Sequence, residues 1–340
     1  MYKYLQLYAC CFAVKGYMRG IIYDAQRFNF DFVPNGLISF IEKSRLNDIE
    51  SVKQNFGNEN TTIIDEYIHF LIEKEYAFFC SEAEKEFFPP ISALWQTPCY
   101  IENAVINCSA IRDIDNIFKR VNELNCRHIL LILKAVSIEN LLLLLGSTKE
   151  KRFSSIGFWI EYDSKIAAEQ YQKIMNDFVN INFIILYGAI QDKLLSKSID
   201  NIRVLSMTVK QPSIEHTKPL TPSDFVINTY FFIESQNFHP IFNRKMGIDI
   251  HGNIKNCPSL SESFGNINDP DIDLRAIAQS PAFQRLWTVR KDDTAVCRDC
   301  EFRYMCVDSR EPHLGNDGLY YHRSPCPYDP YTATWRTQES

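Results

Sequence analysis

Strand-like alternation opens the chain and gives way to helical periodicity within residues 1–90. Two apolar strand-like runs reverse near Asp24, after which Phe28, Phe30 and Phe32 alternate with polar residues, as in a hairpin. Strands followed by three helices predict a small winged-helix-like module. The helical patterns cover residues 36–44, residues 47–55 and a stretch that Thr62 caps with Asp65 three residues on, and a returning strand covers 76–79.

Strand-like and helical runs alternate through residues 95–212, beyond the Pro89-Pro90 step. Such alternation predicts an α/β fold with a parallel sheet covered by helices, either an open doubly wound sheet or an incomplete β/α barrel-like core. A full eightfold barrel needs roughly twice this length of chain. The five strand-like runs are 101–108, 128–133, 155–162, 181–188 and 201–208.

The last segment, residues 225–340, is rich in loops and follows a linker from Pro212 to Pro222. His251 and Gly252 are placed to turn a hairpin between two short apolar runs. A loop-rich segment buries too little apolar surface to be ordered by itself, so we expect a cross-link or a metal to stabilise it.

Composition and charge narrow the function classes. The 340 residues suffice for two or three domains, and 46% hydrophobic with 23% charged residues is typical of a packed protein. A net charge of −6 does not favour nucleic acid as a partner. The longest uncharged apolar run, at 183–190, is too short for a membrane span, and residues 4–14 lack the flanks of a signal peptide. We therefore expect a cytoplasmic protein and no membrane partner.

The eleven cysteines separate into two classes. Six occur in apolar surroundings without ligand-like spacing and are interpreted as small buried hydrophobes: Cys10, Cys11, Cys80, Cys99, Cys108 and Cys126. The other five include a Cys-x2-Cys-x5-Cys run and a later cysteine, a spacing that suits either a tetrahedral zinc ion or one [4Fe-4S] cluster. These four are Cys297, Cys300, Cys306 and Cys326.

Together with Gly252-x4-Cys257, this run resembles the SPASM domain, an iron-sulfur-binding extension of many radical SAM peptide-modifying enzymes. The segments CRDCEFRYMCVDSR, GNIKNCPS and CPYDPYTATW are similar to the SPASM-domain peptide maturases of grasp-with-spasm systems, and the N-terminal AVKGYMRGIIYDAQRFNFDFVPNGL also fits that family. In these systems an ATP-grasp ligase cross-links a ribosomal precursor peptide into a graspetide. The N-terminal segment further resembles the winged-helix element that recognises leader peptides.

The resemblance implies one complete auxiliary [4Fe-4S] site with Cys297, Cys300, Cys306 and Cys326 as ligands. Cys257 matches a ligand of a second cluster whose other cysteines are missing, so it is either a remnant or a structural thiol, and less readily a metal ligand. The chain has no Cys-x3-Cys-x2-Cys motif, the motif that holds the catalytic cluster of radical SAM enzymes. We therefore expect no S-adenosylmethionine cleavage, and no catalytic residue is assigned.

Other motifs carry less information. No ATP-binding or dinucleotide-binding glycine motif and no paired histidines occur in the sequence, so no ATP or NAD site is recognised. Glu301, Arg303 and Arg310 lie near the thiols in sequence, either to offset their charge or as a solvated loop.

The leading hypothesis is thus a graspetide maturation protein without radical chemistry, with a precursor peptide and an ATP-grasp ligase as partners. Its segments would be a peptide-recognition module (1–90), a reduced β/α core (95–212) and a SPASM-like metal- or cluster-binding domain (225–340). An iron-sulfur redox enzyme and a zinc-stabilised peptide-binding protein are the alternatives.

Overall fold

The computed structural model describes residues 3–110, 113–198, 203–211, 220–258 and 260–336. These residues form two compact units, each drawn from separate stretches of chain. The first unit contains residues 3–95, 220–240 and 289–336, and the second contains 96–211 and 241–288. The predicted third segment, 225–340, therefore contributes to both units, while most of the predicted linker lies outside the described residues.

Residues 3–95 contain two small antiparallel sheets and four helices. Strand order in the larger sheet is β2-β3-β4, and β1 pairs with β5 in the smaller one. The elements are β1 (Tyr4–Leu7), β2 (Cys11–Lys15), β3 (Gly20–Asp24), β4 (Asn29–Val33), α1 (Asn35–Ser44), α2 (Ile49–Phe56), α3 (Thr61–Glu73), β5 (Ala77–Cys80) and α4 (Glu82–Lys85).

The predicted cap of α3 is wrong. The helix begins at Thr61 after a 3₁₀ turn, and Asn60 occupies the N-cap position without a side-chain cap. The Asn60 amide instead donates to the Phe56 carbonyl at 2.7 Å, so the preceding turn rather than Thr62 sets the start of the helix.

Both faces of the β2–β4 sheet are covered. Because side chains alternate along a strand, Ile22 and Val33 pack into one cluster with α1 and α3, whereas Ile21 and Tyr23 point to the opposite face. That opposite face packs against Phe302 and its neighbours in the C-terminal part of the same unit.

The second unit contains a large, mostly parallel sheet, as the alternating runs predict. Its order is β10-β11-β9-β8-β7-β6-β12-β13, in which the six inner strands are parallel and the two outer ones antiparallel to their neighbours. The elements before residue 212 are β6 (Asn103–Asn107), α5 (Ile114–Glu123), β7 (His128–Leu133), α6 (Ile138–Gly146), β8 (Ser155–Glu161), α7 (Ala168–Asp177), β9 (Ile181–Tyr187), β10 (Lys193–Lys197) and β11 (Val204–Thr208).

The remaining elements are short. In the second unit, the predicted hairpin at His251-Gly252 is present, and its first strand extends the parallel sheet beside β6. The elements are α8 (Thr229–Asn237), β12 (Lys245–Ile248), β13 (Ile254–Lys255), α9 (Leu274–Gln279), α10 (Pro281–Gln284), β14 (Pro312–Leu314), β15 (Tyr320–His322), β16 (Tyr328–Asp329) and β17 (Thr334–Trp335). Among the described residues, no helix has both the length and the apolarity that a membrane crossing requires.

Candidate metal centre

Short turns rather than long elements position the cysteines of the Cys-x2-Cys-x5-Cys run. Val296 adopts a φ of +67°, and the chain then makes one 3₁₀ turn over Cys297–Asp299. The turn closes with the Cys300 N–H donating to the Cys297 carbonyl at 3.0 Å. Further turns lead to Cys306, and Cys326 arrives just before β16. All four cysteines of the sequence prediction belong to the first unit, and Cys257 belongs to the second.

Burial controls the acidity of these thiols. It raises the pKa of all four, that of Cys306 to about 12. The Lys291 ammonium group opposes this effect at Cys297, Cys306 and Cys326, and the Arg310 guanidinium opposes it at Cys297 and Cys326. Without a metal cation the thiols are protonated at neutral pH, so metal binding would displace their protons.

A buried ionic network flanks Cys297, Cys306 and Cys326. Lys291, whose side chain is 1% exposed, donates to the Asp308 carbonyl at 3.2 Å and approaches its carboxylate at 3.4 Å. Arg310 clamps the same carboxylate with two donors, at 2.9 and 2.7 Å. Burial disfavours the charged forms of both Asp308 and Lys291. The two neighbouring cations nevertheless hold the pKa of Asp308 well below its usual range. The Asp308 carboxylate and the thiols raise the pKa of Lys291. Two cations against one carboxylate leave one positive charge beside the thiols.

His322 belongs to this network as well. Its side chain is 5% exposed, and its Nε2 lies 3.5 Å from Asp308 Oδ2. Burial and the charge of Lys291 lower the pKa of His322 to about 4, so the imidazole is neutral at pH 7. One donor atom each from Cys297, Asp308 and His322 lie within 4.8 Å of one another, a group able to bind a metal.

Apolar and aromatic side chains pack against two of the four cysteines. Cys300 and Cys326 pack against a cluster that includes Phe302, Met305 and Tyr328. The same cluster contains Val14, Ile21 and Tyr23 of the β2–β4 sheet. The candidate centre therefore lies between an ionic network and a hydrophobic core that it shares with the N-terminal strands.

Polar contacts also join the cysteine run to the turn between β2 and β3. The Tyr17 N–H donates to the Asp299 carbonyl at 2.8 Å, and Arg19 Nε donates to the buried Glu301 carboxylate at 2.9 Å. The approach is close enough that a Cβ at Gly16 would lie 2.9 Å from the Glu301 nitrogen. This contact explains the glycine without any requirement for an unusual φ.

The three charged residues noted beside the thiols have different roles. Arg310 acts on the centre through Asp308, whereas Glu301 pairs with Arg19. Arg303 donates to Asp292 at 3.1 Å and to the Lys15 carbonyl at 2.7 Å, and so ties the cysteine run to the end of β2.

Sequence reasoning missed Lys291, Asp308 and His322. Lysine and aspartate residues are mostly exposed in folded proteins, so nothing in the sequence indicates that Lys291 and Asp308 are buried. The spacing His322-x3-Cys326 did offer a signal, because it places a second metal donor on the returning segment.

A second donor group occurs in the N-terminal module. The sulfur atoms of Cys10 and Cys11 lie 3.9 Å apart, and a carboxylate oxygen of Asp24 lies within 4.8 Å of both. Asp24 already accepts two backbone N–H groups, from Gln26 and Arg27, and so stabilises the turn between β3 and β4. That structural role accounts for its burial.

Comparison with protein-family models gives no match to this chain, and comparison with curated proteins gives none either.

Proposed function

We propose that this protein takes part in the maturation of a ribosomal precursor peptide, together with an ATP-grasp ligase. It contributes a peptide-binding strand edge and one auxiliary-type metal centre, and it performs no radical SAM chemistry. The observation that carries the proposal is the shared core of the first unit, in which the cysteine run packs against the β2–β4 sheet. A peptide bound to that sheet would lie on the same compact unit as the metal.

The edge of β4 supports peptide binding. Among the described residues, backbone hydrogen bonds join β4 to β3 alone, so the other edge can accept an added strand. Phe28, 70% exposed, stands at one end of this edge, and Phe32 lies under the Arg19 guanidinium at 3.4 Å. The chain after α3 reaches the same strand, since Lys74 pairs with Asp31 at 3.1 Å.

Four thiols and the adjacent cations support an iron-sulfur centre. Buried thiolates need compensating charge, which Lys291 and Arg310 supply. A zinc ion with about 2.3 Å bonds would bring its sulfur ligands to about 3.8 Å of one another. Among the described side chains, no three of the four sulfurs fall within 4.8 Å of each other. A four-iron cluster binds one thiolate per iron and so spreads them further apart.

A zinc-stabilised peptide-binding protein is the second candidate. The proximity of Cys297 to His322 favours it, since thiolate and imidazole together are common zinc ligands. The two candidates share the peptide-binding edge and differ in the metal.

Amide hydrogen exchange of the protein, measured with and without a synthetic graspetide leader peptide, tests the proposed peptide-binding edge of β4. Binding should protect the amides of β4 and leave those of β2 unchanged, because β2 lies on the other side of β3 from the proposed edge. Phe28→Asn suits the positive φ of +59° at this position and should weaken binding at least fivefold without loss of stability. Leu46→Asn, at a side chain 84% exposed in the same unit, is the matched control and should bind normally. Protection elsewhere, or equal effects of both variants, would contradict the proposal.

A further inference from the structure

The turn between β1 and β2 brings two consecutive thiols to one side of the chain. Side chains of consecutive residues point to opposite faces of a regular strand, but Cys10 precedes β2 and lies in a turn. The turn closes with the Cys11 N–H donating to the Tyr8 carbonyl at 2.9 Å, and the two sulfur atoms lie 3.9 Å apart. A tetrahedral zinc ion with bonds of about 2.3 Å holds two thiolates about 3.8 Å apart. The pair therefore already has the spacing of two thiolates on one ion.

Asp24 supplies a third donor from the neighbouring strand. It is the partner of Cys11 in the β2–β3 pairing, and a carboxylate oxygen lies within 4.8 Å of both sulfur atoms. Sulfur and oxygen ligands of one tetrahedral zinc ion lie about 3.6 Å apart, so a shift of about 1 Å at most is needed. The backbone of the β3–β4 turn uses Oδ1, which accepts the N–H groups of Gln26 and Arg27 at 2.8 and 2.9 Å. Among the described hydrogen bonds, Oδ2 makes none to this backbone, so it remains available as a ligand.

Backbone hydrogen bonds hold the three donors in place. The Ala25 N–H donates to the Cys10 carbonyl at 2.9 Å, next to the pairing of Cys11 with Asp24. Cys11 and Asp24 are 4% and 2% exposed, whereas Cys10 is partly exposed. An ion and a water molecule can therefore reach the group from the Cys10 side. Three protein ligands with an open fourth position for water form a common zinc arrangement.

The charges of the group favour a divalent cation. Two thiolates and one carboxylate carry −3, so a zinc ion leaves −1. The Arg27 guanidinium compensates this charge, since its Nε lies 3.5 Å from Asp24 Oδ2. Arg27 also pairs with Glu75, but that carboxylate is 67% exposed and its charge is screened by water. The zinc-loaded group and the guanidinium are therefore neutral together, and uncompensated buried charge is costly.

We infer that Cys10, Cys11 and Asp24 form a second metal site, which binds a zinc ion with a water molecule as the fourth ligand. The inference goes beyond the proposed function and uses no residue of the four-cysteine centre. The ion would join the turn before β2 to the turn between β3 and β4. The latter turn carries Phe28, at the end of the proposed peptide-binding edge.

Zinc titration of the full-length protein tests the donor set. The anaerobically purified wild type, Cys11→Ser, Asp24→Asn and Cys80→Ser are titrated with zinc against a chromophoric chelator. Cys80 is the matched control, because it is buried in the same module and its Sγ donates to the Gln6 side-chain oxygen at 3.8 Å. Cys11→Ser and Asp24→Asn should weaken the binding of one zinc ion at least tenfold, since loss of an outer-shell partner alone costs about 10–100-fold. Cys80→Ser should bind zinc as the wild type does.

Alkylation of the wild-type protein keeps the test independent of the folding of the variants. N-ethylmaleimide reacts with thiolates, and peptide mass spectrometry follows the reaction at each cysteine with and without added zinc. Zinc should slow the reaction of Cys10 by about tenfold or more, because the bound ion occupies the sulfur. Cys108, which is partly exposed in the second unit, should react at an unchanged rate.

The possible results separate this site from the proposed function. Equal reactivity of Cys10 with and without zinc would overturn the site. Zinc binding that Cys11→Ser and Asp24→Asn leave unchanged, or that Cys80→Ser weakens equally, would overturn it as well. These results would leave the four-cysteine centre and the peptide-binding edge untouched. Zinc protection of Cys10 in a wild type whose four-cysteine centre holds no metal would support this site and contradict that centre.

Discussion

Replacement of Phe302 by alanine tests the shared core of the first unit. Phe302 is 2% exposed, and its ring lies 4.8 Å from Phe225 and 4.9 Å from Tyr328 between centroids. It also meets Phe30 and Phe32 of β4, at 6.1 and 5.7 Å. The side chain therefore connects the cysteine run to the N-terminal sheet.

The expected loss follows from this burial. A buried Phe→Ala replacement costs about 3–5 kcal/mol, as lost transfer free energy plus the cavity that remains. Five aromatic neighbours, the fifth being Trp335 at 6.2 Å, place Phe302→Ala toward the upper end, because each well-placed ring pair adds about 0.5–1.5 kcal/mol. At 1.4 kcal/mol per tenfold change, amide exchange in β2–β4 should accelerate by roughly 150-fold to several thousand-fold, up to the limit set by global unfolding.

Hydrogen exchange followed by mass spectrometry measures this effect segment by segment. Phe283→Ala is the matched control, since Phe283 is 1% exposed and packs on Phe264 at 5.0 Å within the second unit. It should accelerate exchange around α9 and α10 and leave β2–β4 unchanged. If Phe302→Ala accelerates exchange around residues 297–306 but leaves β2–β4 within about threefold of wild type, the two segments do not share a core, and the reasoning fails.

Two further predictions concern the surroundings of the centre. Lys291→Met should lower the free energy of unfolding by about 3 kcal/mol, because it leaves the buried Asp308 carboxylate with Arg310 as its remaining cation. Urea denaturation measures this loss, and an unchanged midpoint would refute the ionic network. Gly16→Ala should cost about 1–3 kcal/mol, because its Cβ would lie 2.6 Å from a backbone oxygen, whereas Gly146→Ala meets nothing within 4 Å and should be neutral or stabilising by up to about 1 kcal/mol. Equal melting temperatures for the two alanine variants would contradict the close approach at Gly16.

Local patterns predicted the elements of the parallel sheet well. The run at 128–133 coincides with β7, and those at 155–162 and 181–188 extend β8 and β9 by one residue. A continuous apolar run between two helical stretches is typical of a strand in a parallel sheet that is covered on both faces. The pairing of β12 with β6 was not predictable, because a four-residue strand far along the chain carries no sign of its neighbour. The polar edge strand β10 was missed, because exposed edge strands lack an apolar pattern.

In the candidate site, too, local features could be predicted from the sequence and long-range contacts could not. Spacing identified the cysteine run, since Cys-x2-Cys is itself a local turn that brings two thiols together. Lys291 and Asp308 lie seventeen residues apart and meet only in the folded chain, so their ion pair could not be inferred. The contact between Gly16 and Glu301 joins still more distant segments, which the sequence had suggested as separate domains.

Metal analysis of the anaerobically purified protein tests the central claim most directly. The wild type should contain about four irons and about four sulfides per chain and absorb broadly near roughly 400 nm, and Cys306→Ser should lose both. Cys126→Ser is the control, because Cys126 is buried in the second unit. Among the described hydrogen bonds, its Sγ bonds to the carbonyls of Glu102 and His128. A colourless wild-type protein with one zinc per chain would contradict the iron-sulfur assignment. A wild-type protein that contains no metal, and so does not differ from Cys306→Ser in metal content, would contradict the metal centre itself.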